Sequence, residues 1–185
     1  GMLRNEMSAG LGGGSADAAA MLLGLNKFWD LRLTMDELMT LGAKLGSDVP
    51  FLLKGGTARG TGRGEELVHH SSPEPHWLLL VKPEISVSTA AAYGRYNGKS
   101  NATSDTITNV LHHLEQNDMY GAFTNSANTF EELLFPDYEE LITCKEFFTS
   151  RGCPTIMTGS GPTMVVLLEK PVQALSLQEE IKKSG

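Results

Sequence analysis

Long apolar runs are missing from this 185-residue sequence. None approaches the ~18 uninterrupted apolar residues of a membrane-spanning helix, and the longest, such as Trp77–Val81, are strand-sized. Cysteine is scarce as well. Cys144 and Cys153 are the only two, too few for a disulfide framework or a cysteine-based metal cluster, so reduced packing thiols are expected. Basic charge is in deficit, with 15 Lys and Arg against 22 Asp and Glu and a net charge of −7. That balance argues against a broad nucleic-acid or anionic-membrane surface, yet it allows a local phosphate site made of a few backbone N–H groups. The first residues lack the charged-then-apolar layout of a secretory leader, and a cytoplasmic location is expected. Internal repeats and low-complexity tracts are absent too. What remains is an ordinary globular composition, 41% hydrophobic and 20% charged, enough for one good core or two modest ones.

The order of elements suggests an α+β fold, with helices laid in a second layer on an antiparallel sheet. Glycines end abruptly at Ser15, and Ala16–Lys27 is a run of strong helix formers that Ser15 or Asp17 can cap. Thr34-Met-Asp-Glu37 has capping-box spacing and predicts a helix over Met35–Leu45, with Gly46 ending it through a positive φ. Asp48-Val-Pro-Phe-Leu-Leu reads as a loop or short helical turn. Gly55–Gly64 keeps a strand-like alternation despite its glycines and reads as a bent hairpin edge. Ser71-Ser-Pro-Glu-Pro75 is the best linker. Beyond it, Trp77–Val81 predicts a central strand, and Thr89–Tyr96, Asp105–Glu115, Ala127–Leu134 and Tyr138–Arg151 predict helices. Met164–Leu168 predicts a strand entered through Gly159-Ser-Gly-Pro162, and Val172–Lys183 a closing helix.

Gly10-Leu-Gly-Gly-Gly-Ser15 ahead of a helix is the most informative stretch. Without a Cβ the backbone can approach a phosphate and turn several N–H groups inward, and the helix adds its positive end. No Gly-Lys-Ser/Thr ending follows, so this is not a Walker loop, and no preceding strand supports a dinucleotide fingerprint. The plainer reading is a flexible Gly-Ser linker. His69-His70 and His112-His113 are adjacent pairs that point to different sides and make poor joint metal sites. Met7, Met21, Met35 and Met39 read as packing residues.

The segment SAGLGGGSADAAAMLLGLN resembles the second signature of the GHMP kinases, the galactokinase, homoserine, mevalonate and phosphomevalonate kinase superfamily. Four further segments match in family order: LGSDVPFLLKGGTARGTGRGEEL, KPEISVSTAAAY, NTFEELLFP, and TGSGPTMVVLL, the third signature. Within the superfamily they are most similar to the branch of non-mevalonate isoprenoid synthesis that phosphorylates a cytidine diphosphate-linked polyol. The resemblance implies a partial ATP-binding domain over residues 1–70, a linker at 71–75 and a ferredoxin-like C-terminal domain over 76–185. It implies ATP and Mg²⁺ as cofactors and a small-molecule substrate. Gly10, Leu11, Gly12, Gly13, Gly14, Ser15 and Ala16 would bind the ATP phosphates, with the Ser15 hydroxyl on a phosphate or on Mg²⁺. Asp48 matches the catalytic aspartate. Gly159, Ser160 and Gly161 match a loop near the phosphates and substrate, and Tyr93 an aromatic position that stacks on cytosine. Simpler roles stand beside these: an N-cap for Ser15, a turn or cap for Asp48, a tight turn for Gly159–Gly161, and packing for Tyr93.

The sequence also departs from the family pattern. Nothing in Gly1–Met7 supplies the first signature with its lysine, Asn5-Glu6 replace an Ile-Pro pair, and Ala16 and Thr129 stand where Ser and Asp are usual. Reduced kinase activity and self-association through surface left by absent strands are therefore expected. The alternatives are another GHMP kinase, acting on homoserine or in the mevalonate pathway, and a non-catalytic homologue that oligomerises.

Overall fold

The computed structural model describes residues 10–62, 64–85, 87, 89–96 and 103–184; Asn5-Glu6 and Met7 lie outside them. The described residues form helices and antiparallel strands, an α+β fold. The chain divides into two compact units, one holding Gly12–Ser72 and the other Pro73 onward together with Gly10–Leu11.

In the first unit, α1 (Gly13–Phe28) is the Ala-, Leu- and Met-rich run. Its N-cap is Gly12, at φ 65°, with no side chain bonded over the helix end. Ser15 and Asp17 therefore do not cap it, as the sequence suggested, but lie inside the helix. A left-handed Gly12 turns the chain into the helix one turn earlier than a side-chain cap would. The next helix, α2 (Met35–Leu45), begins on the expected capping box. Thr34 Oγ1 accepts from the Glu37 N–H at 3.3 Å, and the Thr34 N–H donates to Glu37 Oε2 at 2.8 Å. Gly46 ends it without a positive φ: its backbone is extended (φ 179°), and its N–H donates to the Gly42 carbonyl at 3.0 Å. Space is what a glycine serves nearby, because a Cβ on Gly42 would stand 2.9 Å from Val49 Cγ1. That close approach seats α3 (Val49–Lys54), whose first turn contains Pro50 where no intrahelical N–H is needed. Ala19, Leu38, Val49 and Leu53, all buried, join the three helices into one core. The glycine-rich stretch forms the expected hairpin, β1 (Thr57–Thr61) against β2 (Glu66–His70), with Thr57 opposite His70.

The second unit is built on an antiparallel sheet of order β3-β5-β4. Its strands are β3 (Trp77–Val81), β4 (Thr155–Met157) and β5 (Met164–Leu168). β5 is central, and Met164 and Val166 are fully buried. Trp77–Val81 was expected in the centre and lies instead at an edge, with Trp77, Leu78 and Leu80 about half exposed. An apolar run of five residues reports burial potential, not position in the sheet. The helices are α4 (Thr89–Arg95), α5 (Ser104–Glu115), α6 (Met119–Thr124), α7 (Thr129–Leu134), α8 (Glu139–Thr149) and α9 (Val172–Ser184), with a 3₁₀ turn at Phe135–Asp137. Two buried clusters fill this unit. Leu134 and Leu141 meet Met157 and Met164 in one, while Phe148, Cys153 and Leu177 meet Val166 and Leu168 in the other. α8 serves both, since Leu141 and Phe148 fall on its buried face.

The α2 cap makes a direct test. Hydrogen bonds from Thr34, first its backbone N–H, hold the Glu37 carboxyl below its ordinary value of 4.5. Thr34→Ala should cost about 1 kcal/mol in urea unfolding at neutral pH. Because a lowered carboxyl pKa stabilises only above the unfolded value, the difference between parent and variant should shrink as pH falls below that value.

Candidate functional site

Gly12 opens α1, and no side chain caps the helix end. The Ala16 N–H donates to the Gly12 carbonyl at 2.9 Å. The N–H groups of Gly13, Gly14 and Ser15 precede that first intrahelical bond, and they take no acceptor among the described residues. The first turn holds no acidic residue to offset the positive end; Asp17 follows directly after it. The Ser15 hydroxyl lies 3.7 Å from where a Cβ on Gly46 would stand, which puts it beside the Gly46–Asp48 segment. Asp48 precedes α3 and is exposed, and its carboxylate makes no capping bond. Its position in the chain is that of a cap, but its side chain is not used as one. In this unit the structure therefore brings the later glycines and Ser15 close to the segment carrying Asp48.

Gly10 belongs to the other unit. Its carbonyl accepts from Thr158 Oγ1 at 3.0 Å, and a Cβ there would run into the Thr158 carbonyl oxygen. The loop after β4 folds back against it: the Gly161 N–H donates to the Thr158 carbonyl and the Thr158 N–H to the Thr163 carbonyl, each at 2.9 Å. Gly161 has φ 72°, and a Cβ would stand 2.5 Å from Met157 Sδ. Of the expected residues, Gly10 and Gly159–Gly161 are thus brought into contact. Ser160 is half-buried within the same loop, and Leu11 is about half exposed.

Tyr93 is 59% exposed. Its ring meets Phe130 edge-on with centroids 4.8 Å apart, so it packs on one side and offers the rest of its surface to solvent. Tyr93, Tyr96, Asn128, Phe130, Thr158 and Gly159 line a cavity of about 570 Å³, open on one side. An aromatic plane and loop backbone can together hold a flat polar ring there.

Sequence reasoning missed what holds that loop. Asn128 caps α7, its Oδ1 accepting from the Phe130 N–H at 2.9 Å. Its Nδ2 donates to the carbonyls of Met157 at 2.6 Å and Gly159 at 2.8 Å. Glu131 takes the Met157 N–H on Oε1 at 2.7 Å and Lys145 Nζ on Oε2 at 2.5 Å. In the sequence Asn128 is the first residue of the NTFEELLFP segment and falls within the expected helix, with no role of its own assigned.

His113 and Asp118 pair away from these residues. His113 Nδ1 lies 2.9 Å from Asp118 Oδ2, and the Asp118 carboxyl is held low, first by the Gly121 N–H and then by His113. Among the described residues no group of three His, Cys, Asp or Glu could hold a metal ion. Both cysteines are free; burial pushes the Cys144 thiol up to about 11.

This helix-and-sheet architecture, with its glycine-opened helix and returning glycine loop, matches known proteins along nearly its whole length. Residues 4–56 match the GHMP kinases N terminal domain, and the chain is similar to GHMP kinases over most of its length. Among them it is similar to 4-diphosphocytidyl-2-C-methyl-D-erythritol kinases. That of Exiguobacterium sibiricum is 40% identical over 95% of this chain and 62% of its own length. That of Bacillus mycoides is 44% identical over 88% of this chain and 56% of its own. The chain thus spans about three fifths of the curated relatives it matches. A crystal structure of 4-(cytidine 5'-diphospho)-2C-methyl-D-erythritol kinase superposes with a TM-score of 0.76 at 28% identity, over 99% of this chain and 66% of that one. Homoserine kinase from Cytophaga hutchinsonii shares the fold, with a TM-score of 0.75 at 18% identity, over 98% of this chain and 63% of that one.

Two measurements test this geometry. Gly161→Ala forces a side chain onto Met157 in a left-handed backbone and should cost on the order of 1–3 kcal/mol in thermal or urea unfolding. Gly14→Ala, with nothing within 4 Å of its Cβ, should be neutral or stabilising in the same assay. A maleimide or iodoacetamide should label Cys144 slowly at pH 8, because little thiolate exists below a pKa of about 11, and quickly once urea unfolds the protein.

Proposed function

We propose that this chain acts in ATP-dependent phosphorylation of a hydroxyl of 4-diphosphocytidyl-2-C-methyl-D-erythritol, within non-mevalonate isoprenoid synthesis. The observation that carries the reading is the opening of α1: a left-handed Gly12, then Gly13, Gly14 and Ser15 with N–H groups that take no acceptor among the described residues. Such a turn fits a phosphate chain, since converging amides and the positive helix end both favour an anion.

In this reading Gly10–Ala16 hold the triphosphate and the Ser15 hydroxyl contacts a phosphate oxygen or Mg²⁺. The cation's charge, when bound, offsets that of the phosphates; the Ser15 hydroxyl is the group offered to it here. Asp48, exposed and unused as a cap, accepts the proton of the substrate hydroxyl as that oxygen takes the γ-phosphoryl group, and the terminal bridging oxygen leaves with ADP. Tyr93 stacks on the cytosine ring, and Gly159, Ser160 and Gly161 contact the diphosphate-linked polyol through backbone N–H and hydroxyl groups. The ferredoxin-like description of residues 76–185, the boundaries at 70 and 76, and a cytoplasmic location belong to the same proposal. Among the described residues no helix is long and apolar enough to cross a membrane. Self-association is included too: Phe28 is 81% and Trp29 60% exposed at the end of α1, and a sedimentation coefficient that rises with concentration would register it.

Thermal shift with Mg·ATP, the cytidine-linked polyol and homoserine separates the candidates. The reading requires a shift with the first two; a shift with homoserine and none with the cytidine compound overturns it. Asp48→Asn should lower phosphoryl transfer by about 10²–10⁴-fold while leaving nucleotide affinity unchanged, checked by product formation and by titration of a fluorescent ATP analogue.

A further inference from the structure

β4 is an edge strand, yet its outer edge is not left open at Met157. Both backbone groups of that residue are taken by side chains of α7: the carbonyl by Asn128 Nδ2 at 2.6 Å and the N–H by Glu131 Oε1 at 2.7 Å. Asn128 Nδ2 reaches two residues further and donates to the Gly159 carbonyl at 2.8 Å. Its Oδ1 is meanwhile fixed by the Phe130 N–H. One amide therefore binds at three points, spanning the end of β4 and the start of the glycine loop. α7 also carries Phe130, whose ring meets Tyr93 edge-on. A short helix so grips both the loop and the aromatic wall of one cavity.

We propose that Asn128 is a positioning residue: its amide sets where Gly159–Gly161 stand, and through them the substrate-facing wall of the cavity. The part concerning substrate rests on the kinase reading; the part concerning the loop does not. The Gly161 and Thr158 backbone hydrogen bonds lie within the loop itself, and Thr158 Oγ1 bonds to Gly10. Asparagine is required by this geometry because the site needs an acceptor and a two-proton donor on one planar group. Aspartate keeps the shape and the helix cap but turns both donors into an anionic oxygen facing two carbonyls.

Asn128→Asp and Asn128→Ser in the full chain test this, with amide hydrogen exchange as the readout. Both keep an oxygen for the Phe130 N–H; serine removes the donors without adding charge. The expected result is exchange faster by on the order of tenfold or more across Gly159–Gly161 in both variants, with α8 and β5 unchanged. Cytidine diphosphate, as the binding probe, should lose at least about tenfold in affinity at an unchanged melting temperature. Exchange at Gly159–Gly161 equal to the parent overturns the positioning role. So does an increase spread evenly over Pro73–Ser184, which marks general destabilisation. If the parent itself does not bind cytidine diphosphate, the substrate assignment fails, and the exchange data still decide whether Asn128 holds the loop.

Discussion

Backbone meeting backbone without an intervening side chain is the constraint on which this structure depends. Gly10 lies against Thr158–Gly161 so closely that a methyl group on Gly10 would overlap the Thr158 carbonyl, and one on Gly159 would stand 3.2 Å from the Gly10 carbonyl. Such proximity needs glycine from both sides. In the other unit, the left-handed turn of Gly12 starts α1. Glycine is thus used here for two different physical reasons two residues apart, room at Gly10 and dihedral freedom at Gly12. A linker of the same composition would need neither.

Division of labour follows from that arrangement. The helix opening contributes charge without ionised groups, from N–H dipoles held by a rigid core of Ala19, Leu38, Val49 and Leu53. The loop after β4 contributes shape, held from outside by α7 and from beneath by Met157 and Met164, which are fully buried. Phosphoryl transfer depends mainly on positioning and electrostatic preorganisation. Each glycine segment is tied to the well-packed core of its own unit, and the first turn of α1 holds no acidic residue.

Where local chemistry decides the outcome, the sequence was readable. The Thr34–Glu37 box, the hairpin between Thr57 and His70, and the helix over Glu139–Thr149 all follow from patterns within a few residues. Long-range pairing was not readable in the same way. Trp77–Val81 is as apolar as a central strand and lies at an edge, because β5 has neighbours on both sides. Thr155–Met157 and Met119–Thr124 are too short to show a period, and both are held by distant partners or a single cap. At the site, the glycine segment, Asp48 and Tyr93 stood out through motif order, and their use as phosphate, base and base-stacking groups is an inference from chemistry. Asn128 and Glu131 lie in the matched NTFEELLFP segment, but their use did not show, since bonds spanning 29 and 26 residues leave no local trace. Ser15 shows the limit of local rules: a serine ahead of a helical run reads as a cap, and the glycine three residues earlier overrides it.

The central proposal is that the opening of α1, Gly12–Ser15, holds a phosphate chain. Backbone amide NMR of the chain titrated with Mg·ATP tests it most directly. The account predicts saturable shifts concentrated at the amides of Gly12, Gly13, Gly14 and Ser15, absent when adenosine replaces the nucleotide. Saturable shifts confined to other segments, or none at millimolar nucleotide, would contradict it.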